Sequence, residues 1–172
     1  MATPVWFPTV DWSTGDTPTA AQFDGLLRDN LDHLGTPVSA QASRSTNLSI
    51  ATSTFTDVTL PSEAWDTDSL HSTSSNTDRF TIPTGLDGIY LVHGIITFAV
   101  NSTGARTLTV AKNGAGMQVT TFANAGTAAP VLSGARILRL VAGDYVSIEA
   151  WQDSGGNLNV TQAEVTVIKI SN

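Results

Sequence analysis

Residues 138–151 read LRLVAGDYVSIEAW, two alternating apolar and polar runs hinged on Ala142-Gly143-Asp144. Side chains alternate across a strand with period two, so Leu138, Leu140, Val146, Ile148 and Ala150 can share the faces of a pleated sheet. Gly143 supplies backbone freedom, and Asp144 supplies a side chain able to bond back to the main chain; a tight reversal needs both. The stretch predicts an antiparallel hairpin. By itself it carries no chemistry.

The same pattern continues on either side. From residue 38 onward no further helix is expected, and strand-like runs occur at 42–47, 53–60, 79–82, 88–100, 106–112, 117–123, 131–141, 144–151 and 160–170. They are separated by turns rich in Gly, Asn, Ser and Pro. Strands at that spacing predict a β-sandwich or jelly roll. The 88–100 run is nearly all apolar and predicts a central strand buried on both faces. The Ser/Thr-rich stretch 67–78 reads as a long loop.

Composition agrees with an all-β domain. The chain has 172 residues, 41% hydrophobic and 13% charged, enough to bury a core while hydroxyls and amides solvate the surface. Its formal net charge of −7, with eight scattered Lys and Arg, excludes a basic groove for nucleic acid. There is no cysteine, which removes disulfides, thiolate catalysis and zinc–cysteine sites. No run approaches the ~18 apolar residues of a membrane span. No basic segment followed by an apolar core opens the chain, so no signal peptide is expected and synthesis in a cytoplasm is.

The first 37 residues differ from the rest. Pro4 and Pro8 keep residues 1–16 extended, and Trp6, Phe7 and Trp12 crowd a segment too short for its own core. Such aromatics either fold back on the same chain or anchor the arm in a partner. Residues 17–34 predict a short α-helix, started by Thr17 before Pro18 or by a Thr19/Gln22 capping box, and stopped by Gly35 and Pro37. Phe23, Leu26, Leu27, Leu31 and Leu34 form one apolar stripe. A helix of this length is marginal alone, so the stripe must pack on something.

Catalytic chemistry is not visible. His33, His71 and His93 lack partners at metal-ligand spacing. Ser133-Gly134 and Ser154-Gly155 lack the preceding glycine of a nucleophile elbow. Asn113-Gly-Ala-Gly116 precedes no helix and so forms no phosphate cradle. Asp66 and Asp68 have two carboxylates but not a calcium loop, and read as a solvated turn. The chain is read as a non-enzyme with no cofactor and no metal.

Four segments resemble the globular head of complement C1q and the tumour-necrosis-factor-like jelly rolls. They are Ile82-Pro83 with Gly88-Ile-Tyr90, then the turn Lys112-Asn-Gly114, then Leu138 through Gly143-Asp144 to Val146, and the closing strand at 163–171, which lacks the usual Phe-Ser-Gly. The resemblance implies a ten-stranded antiparallel sandwich at 38–172 that assembles as a homotrimer. At the front end, Trp12-Ser-Thr-Gly-Asp16, Thr19-Ala-Ala-Gln-Phe23 and Leu27-Arg-Asp-Asn-Leu31 resemble an N-terminal attachment module of tailed-bacteriophage structural proteins.

Together these resemblances imply a virion-surface protein made in the bacterial host cytoplasm. Residues 1–37 would attach it through Trp6, Phe7, Trp12, Phe23, Leu27 and Leu31 to the major capsid protein or another platform protein. A compact head without a long shaft suits a capsid decoration or head-spike protein. The alternative is a tail-fibre or tail-tip receptor-binding protein that contacts host-surface glycans or proteins through loops 69–78 and 151–157. Neither membrane nor nucleic acid is an expected partner.

Overall fold

The computed structural model describes residues 13–29, 31, 35, 37–123 and 128–171. Two compact units emerge, Met1–Val38 and Ser39–Asn172.

In the first unit, Trp6, Phe7 and Trp12 lie outside the described residues. Asp16 folds back on Ser13 through its N–H and its carboxylate, closing a turn over Thr14-Gly15. The helix begins at the capping box: the Thr19 hydroxyl accepts from the Gln22 N–H at 3.2 Å, and the Thr19 N–H donates to the Gln22 side chain at 2.8 Å. The α-helix α1 (Ala20–Phe23) is one turn long and passes into a π-helical turn, Asp24–Asp29. The helix expected over 17–34 thus starts at Ala20 and is widened by this π-helical turn, with residues 31 and 35 again α-helical. Gly25 is a weak helix former with no side chain to resist widening, and it sits where the turn expands.

The second unit contains eleven strands among the described residues: β1 (Ser39–Arg44), β2 (Leu48–Ile50), β3 (Thr56–Asp57), β4 (Ser62–Asp66), β5 (Arg79–Thr81), β6 (Gly88–Phe98), β7 (Ala105–Lys112), β8 (Ala115–Ala123), β9 (Val131–Leu140), β10 (Tyr145–Gln152) and β11 (Leu158–Ser171). They form two antiparallel sheets. The first runs β4-β1-β11-β6-β9, with β2 also on β11; the second runs β3-β10-β7-β8, with β5 also on β10. Tyr90, Val92, Ile96, Phe98, Val165 and Val167 of the first sheet face Leu108, Val110, Val146, Ile148 and Ala150 of the second, each at most 1% exposed. Burial of one large apolar side chain stabilises by roughly 1.5–3 kcal/mol, so this layer dominates the fold.

Residues 138–151 do not form a hairpin. Leu138 and Leu140 belong to β9, which pairs with β6 in the first sheet; Val146 and Ile148 belong to β10, which pairs with β7, β3 and β5 in the second. The turn at 141–144 arches from one sheet to the other. Period-two alternation identifies a strand but not its partner, and a reversal serves a sheet crossing as well as a hairpin. Gly143 has φ +85°, which a side-chain-bearing residue adopts only with strain. Its N–H donates to the Ile82 carbonyl at 2.9 Å. Lys112-Asn-Gly-Ala115, by contrast, is a two-residue hairpin between β7 and β8, with positive φ at Asn113 and Gly114 as a type I′ turn requires.

The central strand also differs from expectation. Alternate residues of β6 from Gly88 to Phe98 are buried, while Ile89, Leu91, His93, Ile95 and Thr97 are only half-buried. One face meets the core and the other faces outward, because a two-sheet sandwich covers each sheet once. Strands β2 and β4 were not expected, and the 53–60 run yields only the two residues of β3, since Ser53 takes positive φ.

Candidate functional site

The outward face of the first sheet carries a patterned apolar surface. Strand pairing sets Ile137, Leu91 and Ile168 side by side in one row. Ala135, His93, Thr166 and Gln41 form the next row, and Ser133, Ile95, Glu164 and Ser43 the third. Ile137 is 64% exposed, Val131 61% and Ile170 52%. A row of large apolar side chains left on water is costly, and such a patch marks an interaction surface. The polar groups among them are already engaged with one another. Gln41 Nε2 donates to Glu164 Oε1 at 3.1 Å and to Thr166 Oγ1 at 3.0 Å. A cleft of about 340 Å3, lined by Ser43, Arg44, Ile95, Thr97, Gln162 and Glu164, opens at one end of this face.

His93 Nε2 lies 3.0 Å from Ser133 Oγ across β6 and β9. The pair does not make a nucleophile: the carboxylate one row away, Glu164, is held by Gln41, and the pair sits on a flat sheet. Among the described residues no group of three or more His, Asp and Glu side chains is placed to hold a metal ion.

The remaining polar residues singled out by sequence are structural. The Asp66 carboxylate accepts the N–H groups of Asp68, Leu70 and His71 at 3.2, 3.0 and 2.8 Å, so it organises the start of the 67–78 loop rather than sitting in a solvated turn. His71, its side chain fully buried, sets Nδ1 2.8 Å from Glu63 Oε1 and stacks on Phe80 at 4.9 Å. Arg106, 1% exposed, donates to the carbonyls of Asn101, Thr103 and Ala105 and so clamps the turn before β7. Loops 69–78 and 151–157 do not share a surface: the first leads into β5 beside Tyr145–Ser147, and the second leaves the far end of β10.

Of the expected attachment residues, Phe23, Leu27 and Leu31 are 57%, 48% and 63% exposed. The sheet-face residues Ile89, Leu91, Ile137 and Ile168 were not singled out by sequence. Their signal was the apolar residue at both parities of the 88–100 run.

No family model matches the chain, and no curated protein matches it. Solved structures do. The globular domain of the zebrafish complement 1qA protein aligns with a TM-score of 0.57 at 19% identity, over 80% of this chain and 100% of that one. The Eiger TNF of S. frugiperda aligns at 0.53 and 16%, over 80% and 95%. PRD1 vertex protein P5 aligns at 0.58 and 17%, over 80% and 100%. The fold is a C1q/tumour-necrosis-factor jelly roll.

Within the jelly roll, three landmarks of the sequence resemblance meet at one place. The Ile82 N–H donates to the Asp144 carbonyl, and the Asn113 side chain bridges Asp144 and Tyr145. Gly88, paired with Leu140 at the same end, has no room for a side chain: an added Cβ would lie 2.3 Å from the Ser171 carbonyl oxygen.

Proposed function

We propose that the chain is a non-enzymatic structural protein of a bacteriophage virion, a homotrimer of jelly-roll heads anchored by residues 1–37 to the major capsid protein or another platform, as a capsid decoration or head-spike protein. The carrying observation is the uncovered apolar face of the first sheet, with Ile137 64% exposed in a row with Leu91 and Ile168. A second and third copy packed there would remove those side chains from water and stabilise a chain that has no disulfide. A vertex protein of phage PRD1 among the structures of like fold supports the virion setting. The exposed Phe23, Leu27 and Leu31 support the anchor, since three copies on one symmetric platform multiply a weak contact.

Native mass spectrometry of the full chain tests the assembly. A mass three times that of the chain is expected, and a stable folded monomer overturns it. Removing residues 1–37 is expected to leave the head folded by circular dichroism and to abolish incorporation into particles; normal incorporation overturns the anchor. Gold labelling confined to the tail overturns the capsid placement.

A further inference from the structure

The outward face of the second sheet is built differently from that of the first. Along β10, side chains 145, 147, 149 and 151 point away from the core, and β3, β5 and β7 supply their neighbours. At one end Phe55, 53% exposed, lies against Trp151 with ring centroids 6.1 Å apart. In the middle Asp57 and Glu149 are direct cross-strand partners, the Asp57 carboxylate turned to Ser147 and the Glu149 carboxylate reaching across β7 toward Gly116. At the other end the Arg79 guanidinium lies over the Tyr145 ring at 4.4 Å. The distance from Tyr145 to Trp151 along the strand is about 20 Å. Beside this strip the outward residues of β7, Thr107, Thr109 and Ala111, are small and covered, each at most 5% exposed.

The Asp57 and Glu149 pair calls for hydrogen-bond donors that the chain supplies only in part. Like charges directly opposed across a sheet are destabilising and are relieved by donors. Ser147 Oγ donates to Asp57 at 3.0 Å, whereas burial and the neighbouring Asp57 hold the Glu149 carboxyl above its ordinary value. An exposed aromatic pair has an electron-rich face suited to the C–H face of a sugar ring. Protein interfaces are depleted of Asp and Glu at their centres, which is where this strip places them. The net charge of −7 and the paired carboxylates disfavour an anionic ligand.

We propose that this strip binds a neutral linear oligosaccharide laid along β10, one ring stacked on Trp151 and Phe55, its hydroxyls donating to Asp57 and Glu149, the chain continuing toward Arg79 and Tyr145. The site lies on the sheet opposite the assembly face, so it stands or falls separately from the trimer.

The test is isothermal titration calorimetry of the full chain with chitohexaose, cellohexaose and maltohexaose, each beside its disaccharide. At least one hexaose is expected to saturate with a Kd below about 1 mM and to bind more tightly than its disaccharide. Trp151→Ala and Asp57→Ala are each expected to weaken binding roughly tenfold, while Trp65→Ala on the other sheet leaves it unchanged. Should Trp151→Ala fail to fold, Phe55→Ala replaces it, because Phe55 is already half in water. No saturation by any hexaose at about 10 mM, undiminished binding by the folded Trp151→Ala or Phe55→Ala protein, or competition by calcium chloride for the same residues overturns the site. Native mass measured on the same samples reports the assembly independently.

Discussion

Asp144 ties two turns together with one carboxylate. Its Oδ2 accepts the Val141 N–H at 3.0 Å and lies 2.7 Å from Lys112 Nζ, while its Oδ1 accepts Asn113 Nδ2 at 2.7 Å. The lysine, the asparagine and then the backbone N–H hold the acid down at about 2, from an ordinary 3.8. The carboxylate lies at the surface with its side chain 13% exposed, so solvent screens part of the contribution. The sign follows from linkage: a carboxyl depressed on folding stabilises the native state above pH ~4 and loses that contribution as pH falls toward ~2. Asp144→Asn is therefore expected to lower unfolding free energy by about 2 kcal/mol at pH 7 and by much less at pH 2, measured by urea titration at both pH values. A comparable loss at both would show that the charge is not what matters. Gly143-Asp144 was legible as a turn from two letters. Its partners at 82, 112 and 113 were not, because nothing local encodes which distant loop will meet it.

At the scale of elements, the outward face of the first sheet makes a direct prediction. Ile137→Asp puts a charge in the middle of the proposed contact without touching the core, since Ile137 is 64% exposed. The variant is expected to stay folded with a lowered thermal midpoint and to lose the trimer at micromolar concentration in light scattering; an intact trimer would move the interface elsewhere. Sequence located strands well where one face is buried, as in β10 and β11, and it located the helix start through Thr19 and Gln22. It missed β4, Ser62–Asp66, because four of its five residues are exposed and an edge strand has no alternation to read. The interaction face was hidden for the opposite reason. Ile89, Leu91 and Ile95 made β6 look buried on both sides, and only the sheet order shows that a single chain covers one of them. The crossing at 141–144 was misread as a hairpin because a strand pattern is silent on pairing.

For the molecule as a whole, the decisive fact is where the first strand of the head sits. β1 lies between β4 and β11, pairing Ser39–Arg44 with 163–168. β11 also holds β2 and the central β6, so removing residues 158–172 is expected to leave a chain with no cooperative unfolding transition and rapid digestion by protease; a folded remnant would mean that the second sheet stands without the first. This arrangement also sets an order of events during synthesis. The strand that closes the first sheet is translated after every other strand of the head, so most of the contacts that define the sandwich wait on long chain closures. While the ribosome is still making β6 to β10, the Phe23, Leu27 and Leu31 stripe has already emerged, with no finished head behind it. The head's greatest exposure to aggregation falls in the seconds before β11 arrives.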